Sequence, residues 1–148
     1  MANHVRQQIR EQVGTTLTGL TTTGSNVFQS RVYPLAASNL PGLLIYTLVE
    51  TSDLDAMGSS QDLMRNLSLA IEGYAKASAN LDDTLDTIAK EVETALAADT
   101  KLNGLAKNCY LSGTEIQLNG DGDQPIGVVA MTFSVTYRTA NNTPDVAA

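Results

Sequence analysis

The chain has 148 residues, enough for one domain that buries a sizeable core without disulfides or metals. Nine Lys and Arg against sixteen Asp and Glu leave a net charge of −7, which argues against a dedicated nucleic-acid grip, because phosphate neutralisation needs clustered cations. Charged residues at 17%, aromatics at 5% and no Trp predict a surface rich in Thr, Ser, Asn and Ala, and the lone Cys109 excludes an intramolecular disulfide framework. Val5, Ile9, Val13, Leu17 and Leu20 recur at helical spacing, with Arg6, Gln7, Gln8, Arg10 and Glu11 on the other faces. This pattern predicts an amphipathic helix over residues 3 to 19, with Asn3 as its N-cap and Thr21–Gly24 as its stop.

Val27–Val32 alternates as a half-buried strand does, Pro34 and Pro41 then forbid regular pairing, and Leu43–Tyr46 resumes as a strand. Glu50–Asp62 is polar, acidic and turn-rich, and reads as a mobile loop. Leu67, Leu69, Ile71, Gly73 and Ala75 alternate with polar or small residues in a third strand. From Asn80 the period changes, and Leu81, Leu85, Ile88, Val92 and Leu96 make one helical stripe, with Asp82, Asp83 and Asp86 at the positive end of the helix dipole. Its other side carries six acidic residues against Lys90, a local balance of 1 − 6 = −5 that ordinarily marks a solvated face. Leu102–Leu105 breaks this helix, and Asn108–Leu118 supplies a fourth strand. Asn119-Gly120 and Asp121-Gly122 mark a hairpin tip, and Ile126–Arg138 follows as a fifth strand with Val129, Met131, Phe133, Val135 and Tyr137 on one side. From Thr139 the chain is polar, giving a domain over residues 1–140 and a short flexible tail over 141–148. Helix, three strands, helix and two strands make an α+β domain, an antiparallel or mixed sheet of about five strands with two helices on one face.

Candidate chemistry is sparse. Gly14, Gly19 and Thr21 have phosphate-loop spacing, but Leu20 stands where a lysine must reach the phosphates. Asn119, Asp121 and Asp123 mimic the start of a calcium loop that fails at Gln124 and Ala130, leaving a hairpin turn as the better reading. Asp53, Asp55 and Asp62 form a loop cluster without metal-ligand spacing. His4, the sole histidine, lacks a triad partner and reads as a solvated or capping residue, and Cys109 heads a strand as a small buried hydrophobe. These residues predict no enzyme, no cofactor and no metal. No apolar run approaches membrane-spanning length and the polar start lacks the apolar core of a signal peptide, so the expectation is a soluble cytoplasmic chain. Arg6 and Arg10, one helical turn apart, project together, and Arg31 and Arg138 lie on or beside strands.

The segment Arg31-Val-Tyr33-Pro34-Leu35, then Leu40-Pro41 and an apolar strand, resembles the tail terminator proteins of long-tailed bacteriophages (minor tail protein U-like). The order of the N-terminal helix, acidic stretch, second helix and closing hairpin ending Val135-Thr-Tyr137-Arg-Thr139 extends that resemblance over nearly the whole chain. It implies a structural protein that closes into a hexameric ring, caps the tail tube, stops its polymerisation and docks the head-tail connector protein. The implied partners are copies of the chain, the tail tube protein and the connector, with genome DNA passing the lumen without specific binding and no membrane contact. The implied location is the head-proximal end of the virion tail, after assembly in the host cytoplasm. In such a ring the interface candidates are Arg6, Arg10, Arg31, Tyr33, Asp53, Asp55, Asp62 and Arg138, the basic residues facing a neighbour's acidic helix. Alternatives are another neck or tail-completion protein of similar fold, and a non-catalytic ligand-binding or regulatory module with its site on the open sheet face.

Overall fold

The computed structural model describes residues 3–29, 40–56, 61–76, 80–119 and 126–148. In chain order the elements are α1 (Val5–Leu17), β1 (Val27–Phe28), β2 (Gly42–Ala56), β3 (Asp62–Lys76), α2 (Leu81–Ala97), β4 (Asn108–Asn119) and β5 (Ile126–Ala140). They form the expected α+β architecture around one five-stranded sheet of order β1-β2-β3-β5-β4. The sheet is mixed: β1 runs parallel to β2, and the other three pairings are antiparallel.

Each side of the sheet follows from strand alternation. Leu67, Leu69 and Ile71 of β3 lie opposite Val135, Phe133 and Met131 of β5, and all six are buried in one cluster with the apolar stripes of both helices. α2 buries Leu85, Ile88, Ala89, Val92 and Leu96, the stripe expected from the sequence. Two glycines let α2 sit close to the strands: a Cβ on Gly73 would come 2.7 Å from Ile88 Cγ2, and one on Gly127 would come 2.8 Å from Leu85 Cδ1. The sheet's other side carries Ser68, Thr132, Ser134 and Thr136, all partly exposed.

Three expectations are corrected. The N-cap of α1 is His4, whose Nδ1 accepts the Arg6 backbone N–H at 3.0 Å, so the helix starts at Val5 rather than at residue 3. Glu50–Ala56 is not a mobile loop but the upper half of β2, paired with Asp62–Leu67 of β3, with residues 57–60 outside the described set. A β-bulge between Thr47 and Val49 hides this in the sequence, because the extra residue reverses which side each later side chain faces. Glu50 therefore points to the helix side and Val49 to the open side, which breaks the period-two pattern where an unbulged strand would continue it. Finally, residues 141–148, expected as a flexible tail, fold back over α1. The carbonyl of Pro144 accepts the Val5 N–H at 2.8 Å, that of Asp145 accepts Gln8 Nε2 at 2.9 Å, and the Ala148 N–H donates to Arg138 O at 2.8 Å. These contacts satisfy a donor that the first turn of a helix otherwise leaves open.

Candidate assembly site

Above the level where β4 begins, three strands continue as a narrower ribbon made of Ser52–Ala56, Asp62–Arg65 and Tyr137–Ala140. Its helix-side surface is held by charge. Arg65 lies in step with Leu67 and Leu69 on the buried face, only 9% exposed. Its Nη1 meets Glu50 Oε2 at 3.2 Å, its Nε donates to Thr139 Oγ1 at 3.1 Å, and its guanidinium lies 5.9 Å from the Tyr137 ring centre. Arg6 reaches the same Glu50 oxygen at 2.8 Å, and the Tyr137 hydroxyl donates a short hydrogen bond to Oε1. One carboxylate thus gathers two guanidiniums and a phenol from α1, β3 and β5, and a buried charge is tolerated only when paired in this way. Burial, then the hydrogen bond to Glu50 and its negative charge, hold the Tyr137 hydroxyl well above the usual phenol range. His4, beside this group, is held below its ordinary value by burial and by the charges of Arg6 and Arg65.

On the open side of the same ribbon, Arg138 lies between two carboxylates, with Nη2 at 2.5 Å from Asp62 Oδ2 and Nε at 3.1 Å from Asp55 Oδ2. The second contact is an ion pair without hydrogen-bond geometry, which leaves Arg138 Nε formally unbonded. Of the three aspartates expected to cluster, two therefore converge on an arginine of their own chain, and Asp53 stands exposed beside them. The Arg6–Arg10 pair is likewise divided. Arg6 turns inward to Glu50, while Arg10, half-buried, has no partner for Nε among the described residues. Arg31 and Tyr33, with Pro34 and the hairpin tip after Asn119, lie outside the described residues. Glu91, counted with the acidic face of α2, accepts Thr22 N at 2.9 Å and Thr22 Oγ1 at 2.6 Å, tying the turn after α1 to α2.

The residues that sequence reasoning missed are Glu50, Arg65 and Thr139. Arg65 was detectable, because running the alternation of β3 backwards from Leu67 puts it on the buried side, where an arginine needs an acid. Glu50 was not, since the bulge conceals its direction.

The remaining feature is a pair of open sheet edges. β4 is the last strand of the sheet, and every residue from Ser112 to Leu118 is exposed. It presents Tyr110, Ile116 and Leu118 at 54%, 48% and 54% exposure. At the opposite side β1 covers β2 only at Leu43 and Leu44, so among the described residues the upper edge of β2 is unpaired, with Leu48, Val49 and Leu54 about half exposed. Unpaired strand edges present free N–H and C=O groups with which another strand can pair. Cys109, buried beneath this region, has its thiol pushed up to about 11 by burial and Asp99, which makes it a packing residue.

No curated protein matches the chain. Among solved structures, a chain of the virion of a native gene transfer agent (GTA) particle aligns with 14% identity and a TM-score of 0.44, over 90% of this chain and 92% of that one. The family model described as phage minor tail protein U matches residues 4–137, the span that holds both helices and nearly the whole sheet. The chain belongs to the phage minor tail protein U family.

Proposed function

We propose that this tail protein closes into a ring, as a hexamer, that caps the last layer of the tail tube, ends its polymerisation and offers the head-tail connector its docking surface. The observation that carries this reading is the family match over residues 4–137, and the two open edges of one sheet are consistent with it. A subunit with two different edges associates head to tail, and such association either closes or runs on as a filament. Closure leaves no exposed edge to continue growth, which suits a terminator. The role is structural and non-catalytic, at the head-proximal end of the tail. The net charge of −7 favours a lumen that passes DNA without gripping its phosphates. Among the expected contact residues, Asp53 and Arg10 have no ion pair among the described residues, and they are proposed for contacts between molecules together with Arg31 and Tyr33.

Electron microscopy of tails assembled without this protein tests the reading. Overlong tubes are expected; tubes of normal length would overturn termination while leaving a structural tail role intact.

A further inference from the structure

The two open edges match each other in direction, level and charge, and we infer that the seam between neighbouring copies joins the edge of β4 to the upper edge of β2. This inference rests on the ring reading above and adds which strands meet. Direction comes first. Three successive antiparallel pairings separate β2 from β4, so the two edge strands of a single subunit run in opposite senses. A neighbour rotated about an axis roughly along the strands then brings its β2 antiparallel to β4, the sense in which ladder hydrogen bonds are strongest.

Level comes next. Val49 pairs with Ser68, Ser68 with Ser134, and Ser134 with Tyr110, so Val49 and Tyr110 stand at the same height on the same open side, at opposite edges. The same chain through Asn66 and Thr136 puts Thr51 level with Asn108. A neighbour at the same height therefore sets its Val49, 61% exposed, against Tyr110, 54% exposed, and its Thr51 against Asn108; lower down, where Glu115 and Ile116 come level with Leu44 and Leu43, the neighbour's β1 already holds the edge and the seam ends. An aromatic beside a β-branched residue is a favoured cross-strand pair.

Charge agrees. Lys107, exposed just above the start of β4, comes within a residue or two of the neighbour's exposed Asp53, and neither has an ion-pair partner among the described residues.

Crosslinking of variants with one added cysteine decides the matter. Val49→Cys and Tyr110→Cys chains are purified separately, concentrated alone or mixed, and treated with a thiol crosslinker of about 8 Å reach, the span of cross-strand and diagonal neighbours. The unsubstituted protein, whose Cys109 is buried, is the control. The expected result is a crosslinked dimer in the mixture, none in either variant alone, and a ladder of multimers when both substitutions sit in one chain. Thr51→Cys with Asn108→Cys repeats the test one level up, so that loss of folding in one variant does not decide it. Crosslinking of Tyr110→Cys alone would mean twofold β4-to-β4 contact and would overturn the seam. Oligomers of defined mass with no mixed crosslink at either level would overturn the seam and leave the ring standing. A chain that stays monomeric at every concentration and on added tail tubes would remove both.

Discussion

The lower and upper parts of this sheet are built from the same strands by opposite means. Below, β3 and β5 bury Leu69, Ile71, Met131 and Phe133 against α2, and burial of apolar surface supplies the stability. Above, the same two strands carry Arg65 and Tyr137 to Glu50 and Thr139 to Arg65, and pairing of buried polar groups replaces apolar contact. The contrast shows what each part tolerates. A packed apolar face loses stability in proportion to what is removed, whereas a buried charge network fails when any one partner leaves the others unsatisfied.

The largest effect expected is that of Glu50→Ala, which strands Arg65 and Arg6 together and should cost about 4 kcal/mol. Hydrogen exchange should show the loss of protection concentrated in Ser52–Ala56 and Asp62–Arg65 of the ribbon. Ile88→Ala, in the apolar half, should cost about 3 kcal/mol by transfer and cavity terms, lowering the melting temperature without selective loss in the ribbon. If the two variants gave the same exchange pattern, the division into two halves would be wrong. Tyr137→Phe removes only the phenol and should cost about 1–2 kcal/mol in denaturant unfolding, since Glu50 keeps both arginines.

The same residue sets an alkaline limit. Tyr137 and Tyr74 are both held above the ordinary phenol value, Tyr74 at about 12 through burial and Glu72. The folded chain keeps protons that the unfolded chain has released, so stability is intact below about pH 10 and falls as pH rises above it. Melting curves taken upward from about pH 9 should show that decline, and Tyr137→Phe should flatten it. The smallest effect belongs to Arg138→Ala. Its pairs with Asp55 and Asp62 are about one-third exposed, so the loss should stay below about 1 kcal/mol and shrink further in high salt.

Much of the apolar half was legible. α2 and β5 keep a single period with no interruption, so the stripe Leu85-Ile88-Val92-Leu96 and the alternation Val129 to Tyr137 map directly onto buried faces. The polar half was not, because extra residues and charges obscure it. The bulge at Leu48 reverses the facing of β2, and the strand beyond it offers Glu50, Thr51, Ser52 and Asp53, a composition that reads as loop wherever the pairing partner is unknown. Among candidate site residues, Asp55, Asp62 and Arg138 meet one another within the chain, with Arg138 between the two carboxylates. Arg6 followed from helical spacing as a surface residue, and only the distant Glu50 turns it inward. Docking of the C-terminal residues depends on open backbone donors at the start of α1, which no local pattern in residues 141–148 reports.

The mass of the protein in solution, measured over a wide concentration range and again with purified tail tubes, tests the proposed assembly most directly. A single closed species of about six chains, with no larger open series, is the outcome the ring requires. A strict monomer under all of these conditions would contradict it, and the open edges of β4 and β2 would then need another partner.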